Sequence, residues 1–92
     1  MAQVELTRHL KEIFPALAQA PFELEVATVA DVVAALDKLA PGVGFYICDE
    51  LGRLRKHVNV FVGDEMVCDR TTLSDRTTPG SRVFIAQALS GG

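Results

Sequence analysis

Apolar residues recur along this chain at two spacings, every second position in some stretches and every third or fourth in one, and the change of spacing delimits the elements. Val58-Asn59-Val60-Phe61-Val62 is rich in β-branched residues and alternates strictly, so it predicts a strand with Val58, Val60 and Val62 inward and His57, Asn59 and Phe61 on the other face. Arg82-Val83-Phe84-Ile85-Ala86-Gln87 predicts another, with Val83 and Ile85 inward and Phe84 on the same outer face as Phe61. Phe22-Glu23-Leu24-Glu25-Val26 alternates as a half-buried strand, and Val4 and Leu6 mark a short first strand over residues 4–6. The helical spacing belongs to Val29, Val32, Val33, Leu36, Leu39 and Ala40, which form one stripe. Thr28 stands where an N-cap belongs, with the Asp31 carboxylate placed to meet the first amides, and Pro41-Gly42 stops the helix.

The connections are harder to read. Leu10, Ile13, Phe14 and Leu17 have helical spacing, but Pro15 disfavours helical geometry at Phe14, so residues 8–14 are expected to be a turn-rich connection. His9 has no acid or cysteine at ligand spacing and is read as a surface histidine. Residues 44–52 have no clean period, which fits an irregular crossover or a short helical turn. Gly63-Asp64 is a tight turn into a short return strand over residues 65–67. Residues 70–81 are polar apart from Leu73, expected to plug one end of the core, and Pro79-Gly80 occupies the usual positions of a type II turn. Two strands, a helix, two strands and a last strand make a small α+β domain, one helix lying across one face of a mixed sheet. Phe61, Phe84 and Ala86 then lie on the uncovered face, unless residues 16–21 or 45–51 fold over the two rings.

Composition narrows the classes of function. With 92 residues, 49% hydrophobic and 23% charged, the chain has the make-up of one folded domain rather than a disordered segment. A formal charge of −3 argues against a nucleic-acid partner. Its apolar stretches fall short of the ~18 residues of a spanning helix, and no basic segment followed by an apolar run opens the chain, so no membrane partner and a cytoplasmic location are expected. Cys48 and Cys68 lack ligand spacing and are read as small buried hydrophobes. Arg53, Arg55, Lys56 and His57 form the basic cluster of an acidic chain, either a solvated face or a steering surface for an acidic partner.

The last six residues, Gln87-Ala88-Leu89-Ser90-Gly91-Gly92, carry the candidate chemistry. A terminal carboxyl has an ordinary pKa of about 3.3–3.7, so Gly92 presents a carboxylate at neutral pH. Neither Gly91 nor Gly92 has a side chain to obstruct a narrow tunnel or another backbone. The expected division is a domain over residues 1–87 and a flexible tail over residues 88–92, which reaches at most about 16–18 Å when extended. The competing reading is an incidental, frayed end.

Val58-Asn59-Val60-Phe61-Val62-Gly63-Asp64-Glu65, then Leu73, then Pro79-Gly80-Ser81-Arg82-Val83-Phe84-Ile85 and the final Gly91-Gly92 resemble the ubiquitin-like sulfur carriers of the MoaD/ThiS family. This family includes the molybdopterin synthase small subunit and the thiamine-pathway carrier, and the chain is also similar to the carrier serving a thiocarboxylate-dependent cysteine synthase. The resemblance implies a β-grasp fold of about five strands with one main helix. It implies a carrier rather than an enzyme: an E1-like adenylyltransferase uses ATP to form a glycyl adenylate at Gly92, and a sulfurtransferase or other sulfur donor converts it to a 1-thioglycine thiocarboxylate. An acceptor synthase then takes the sulfur, in molybdenum cofactor, cysteine or thiamine biosynthesis. Gly92 is the reacting residue on this reading, and Leu89, Ser90, Gly91, Phe61, Phe84 and Ala86 meet the partners. No cofactor is expected on the chain, which has no glycine-rich phosphate loop, no histidine set near a nucleophile and no metal-ligand spacing. Two alternatives use the same residues differently: a ubiquitin-like modifier joined through Gly92 to lysines, and a non-covalent binding module using the outer sheet face.

Overall fold

The computed structural model describes residues 1–77 and 80–87. Strands β1 (Ala2–Leu6), β2 (Phe22–Leu24), β3 (Val58–Val62), β4 (Glu65–Met66) and β5 (Arg82–Gln87) form one sheet in the order β2-β1-β5-β3-β4. Helices α1 (Arg8–Ile13), α2 (Val29–Leu39) and α3 (Val43–Ile47) lie between them. β1 and β5 run parallel at the centre, and the other pairs are antiparallel. The sheet is therefore mixed, as the sequence predicts.

One row of paired residues crosses the inner face from Leu6 to Ile85 to Val60, and the next from Val4 to Val83 to Val62. Val29, Val32 and Leu36 of α2 are fully buried over these rows. Burying branched side chains of this kind stabilises by roughly 1.5–3 kcal/mol each before entropy is subtracted. The stripe on α2 is narrower than its periodicity predicts: Val33 is only half-buried and Leu39 is 44% exposed. Helix α2 ends at Leu39, and it is Ala40, the C-cap, that turns inward.

The N-terminus of α2 is held in two ways. Thr28 and Asp31 form a capping box, with Asp31 N donating to Thr28 Oγ1 at 3.3 Å and Thr28 N donating to Asp31 Oδ2 at 3.1 Å. The polar segment after β4 supplies the remaining acceptors, since Val29 N donates to Asp75 O at 2.9 Å and Ala30 N to Leu73 O at 3.0 Å. That segment is itself organised by carboxylates. Asp69 accepts from the amides and hydroxyls of Thr72 and Ser74, and Asp75 accepts from the amides of Cys68 and Asp69. Leu73 is buried as expected, and it enters the core from a left-handed backbone with φ of 56°.

Several connections differ from the sequence reading. Residues 8–13 form the helix α1, not a turn-rich connection, because Leu10 is fully buried and anchors it; Pro15 does stop α1, and opens a 3-10 turn over Pro15–Leu17. For residues 44–52 the short helical turn, one of the two forms the sequence allows, is the one found: Val43–Ile47 form α3, with Val43 and Ile47 buried. β1 begins at Ala2, two residues earlier than the alternation shows, because Ala2 pairs with Leu24 at the sheet edge. β2 stops at Leu24, which leaves Val26 beyond the strand and half-buried. β4 stops at Met66, and the buried Val67 follows it. Cys48 is buried, but Cys68 is exposed, since it lies past the edge strand β4 where nothing packs on it. Gly80 takes the positive φ of 79° that the predicted turn requires, while its partner Pro79 lies outside the described residues.

Candidate functional site

The sheet face opposite α2 is built by alternation alone. Because Val60 and Ile85 point into the core, their neighbours must point away, and the antiparallel register makes Phe61 and Phe84 Cα partners, as Asn59 is of Ala86. Directly opposed side chains have Cβ atoms about 4.5–5.5 Å apart, so the two rings form one patch. The same row continues through Glu5, the partner of Phe84, and Met66, the partner of Phe61. Phe61, Phe84 and Ala86 are half-buried, Met66 is 50% exposed, and neither ring packs against the core cluster. The shallow depression over the rings is lined by Phe61, Gly63, Asp64, Arg82 and Phe84, so neither residues 16–21 nor 45–51 contribute to it.

Charges frame this patch. The Arg82 guanidinium carbon stands 5.9 Å from the centre of the Phe84 ring, within reach of a cation–π attraction. Glu5 pairs with Lys11 at 3.2 Å. Partial burial pushes the Glu5 carboxyl up, but the Leu6 amide and Lys11 more than offset this and hold it below its ordinary value.

The far end of the patch is the end of β5 at Gln87. Gln87 pairs with Val58, and its Nε2 donates to Tyr46 Oη at 3.0 Å. Tyr46 Oη also lies 3.5 Å from His9 Nε2, and the Tyr46 ring meets Phe14 edge-on with centroids 5.6 Å apart. So His9, which the sequence leaves on the surface, is half-buried and helps seat α3 beside the end of β5. Arg70 lies here too. Its guanidinium donates to Asn59 Oδ1 at 3.0 Å, Arg55 O at 2.7 Å and Val58 O at 2.9 Å, which fastens the start of β3. Arg55 donates from Nε to Phe45 O at 2.7 Å, and Arg53 pairs with Asp49 at 3.1 Å.

Phe61, Phe84 and Ala86 are thus brought together on one face, with the basic cluster near the end of β5. Leu89, Ser90, Gly91 and Gly92, and the expected boundary between residues 87 and 88, lie outside the described residues. Arg70 and Tyr46 are missed by the sequence reading. Arg70 is separated from residues 53–57 by a hairpin, and only the fold closes that distance. Among the described residues no group of three or more His, Cys, Asp and Glu side chains could hold a metal ion, and no helix is long and apolar enough to cross a membrane. A separate apolar cleft, lined by Val33, Phe45, Leu51 and Leu73 with Asp37 and Glu50 at its rim, lies on the helical side and contains none of the predicted site residues.

No protein-family model and no curated protein matches the chain by sequence. Solved structures do. A chain in the Amycolatopsis orientalis BexX/CysO complex superposes with a TM-score of 0.81 at 22% identity, covering 100% of both chains. CysO of Mycobacterium tuberculosis, described as an antigen, gives 0.80 at 23% identity over 97% of this chain and 100% of its own. SAMP1 from Haloferax volcanii gives 0.75 at 25% identity over 99% and 98%. The fold is the ubiquitin-like β-grasp. The three match this chain over essentially its whole length and share the fold that the resemblance implies.

Proposed function

We propose that this protein is a ubiquitin-like sulfur carrier that is activated at Gly92. The observation that carries the reading is the joining of a β-grasp like that of CysO to a Gly91-Gly92 end five residues past the last central strand. The Gly92 carboxylate attacks the α-phosphorus of ATP in an E1-like enzyme, forming the glycyl adenylate and releasing pyrophosphate. A carboxylate is a poor acyl donor until its oxygen joins such a leaving group. A hydrosulfide-level nucleophile then attacks the carbonyl carbon, AMP departs, and a thiocarboxylate remains for an acceptor synthase to consume. The chain acts as co-substrate, and its own part is to present the carboxylate and dock. Phe61, Phe84 and Ala86 supply the docking patch, since two neighbouring rings on an uncovered sheet are the kind of anchor that dominates an interface.

The similarity to SAMP1, a small archaeal modifier protein, favours a second reading in which the same adenylate passes Gly92 to lysines of other proteins. Mass spectrometry of the protein from its native host parts the two. A gain equal to one oxygen replaced by sulfur marks the carrier, and Gly-Gly remnants on lysines mark the modifier. Pyrophosphate exchange with the host's E1-like enzyme tests both at once: removal of Gly92 is expected to abolish it with the fold intact, and normal exchange without Gly92 defeats both readings.

A further inference from the structure

The basic cluster has a position and an electrostatic state that the carrier reading does not use. The register Val58 to Gln87 and Asn59 to Ala86 places the start of β3 against the last residues of β5. Whatever cavity admits residues 88–92 must therefore bring its rim within about 16–18 Å of this corner, the full reach of those residues. Arg53, Leu54, Arg55, Lys56, His57, Arg70 and Thr71, with Asp49, line a concave surface here.

Most of this charge is not cancelled. Among the described residues the ion pairs are Lys11 with Glu5 and Arg53 with Asp49, so Arg55, Lys56 and Arg70 have no carboxylate within pairing distance. The bonds that Arg55 and Arg70 do make go to carbonyl and amide oxygens, which fix the guanidinium planes while leaving the charge in place. Guanidinium groups held this way lose little freedom on meeting a carboxylate.

We propose that Arg55, Lys56 and Arg70, flanked by Arg53 and His57, receive an acidic protein surface at the mouth of the activating enzyme. This rests on the carrier reading and names the chemistry of the partner at the same site. A local acidic rim fits better than nucleic acid. The molecule as a whole carries −3 and repels an extended polyanion, whereas a rim in contact feels the field within about 8 Å, the screening length at physiological salt.

Two measurements test this. In pyrophosphate exchange with the host's purified E1-like enzyme, the KM for the wild-type chain should rise with sodium chloride. Arg55→Glu with Lys56→Glu should raise KM about tenfold at low salt, leave kcat unchanged and abolish the salt dependence. Glu23→Lys, at the opposite sheet edge, should change neither. An unchanged KM in the double variant, with folding confirmed by circular dichroism, overturns the proposal. If the wild-type chain supports no exchange at all, it is the carrier reading that fails, and the second measurement still decides the surface. Hexaglutamate titrated into the isotopically labelled chain should shift the amides of residues 53–57 and 70. Shifts elsewhere, or stronger shifts with a thymidine oligonucleotide than with hexaglutamate, overturn an acidic protein surface as the occupant.

Discussion

Single side chains in this molecule have fates that depend on which side of an edge they fall. Cys48, buried beside α3, has its thiol pushed up by burial and by Asp49, with Arg55 only partly offsetting them, whereas Cys68 is open to solvent. Iodoacetamide should therefore modify Cys68 in the native protein and Cys48 only after unfolding; equal rates for the two, read by peptide mass spectrometry, would contradict the burial. Asp69 makes a pH prediction. The hydroxyls and amides of Ser74 and Thr72 hold its carboxyl well below the usual carboxylate range, so the folded state favours the ionised form. A depressed folded value contributes stability that is present above the ordinary pKa of about 3.9 and lost as pH falls through that value toward the folded one. Asp69→Asn should lower the urea midpoint at pH 7 and shrink the drop between pH 4 and more acid solution. An unchanged midpoint would remove Asp69 from its role of holding the loop under α2.

At the scale of elements, the decisive feature is how the ends of α2 are tied, the first to residues 73 and 75 far along the chain and the last to the neighbouring α3. Thr28→Ala removes one half of the capping box and should cost about 1 kcal/mol in chemical denaturation. The effect is not expected to be larger, because Asp75 O and Leu73 O still receive Val29 N and Ala30 N. The other end depends on Asp37, whose Oδ1 accepts from Gly42 N at 3.2 Å and Gly44 N at 2.9 Å and so joins α2 to α3. A Cβ on Gly44 would lie 2.9 Å from that same oxygen. Gly44→Ala should push the carboxylate off both amides and cost about 0.5–1.5 kcal/mol, the net worth of a hydrogen bond whose groups water can still reach. A melting temperature equal to wild type would mean that Asp37 relaxes without losing them.

The whole molecule divides its apolar residues between two faces of one sheet, and mutants should divide the same way. Leu36→Ala, under the sheet, should cost about 2–5 kcal/mol of stability. Phe61→Ala with Phe84→Ala, on the opposite face, should lower the melting temperature far less than Leu36→Ala, since a half-buried cross-strand pair contributes only about 0.2–1 kcal/mol, and should weaken binding to the activating or acceptor enzyme at least about tenfold, about 1.4 kcal/mol. A large fall in melting temperature with undiminished affinity would instead assign both rings to the folding of the monomer.

Alternation in residues 58–62 and 82–87 was enough to place Phe61 and Phe84 on one face, because a strand's period of two leaves no other choice, and the spacing from Val29 to Leu36 was enough to place a helix over the other face. The capping box was equally legible, since it is a local pattern of two residues three apart. What the sequence could not show depends on contacts between distant segments. A buried leucine, Leu10, anchors residues 8–13 as a helix, so packing overrode weak local preference there, and burial of Val43 and Ile47 selected the short helical turn of α3 over an irregular crossover. The strand order put β5 between β1 and β3. That placement brings Arg70, from beyond one hairpin, and Tyr46, from α3, to the paired ends of β3 and β5 at Val58 and Gln87.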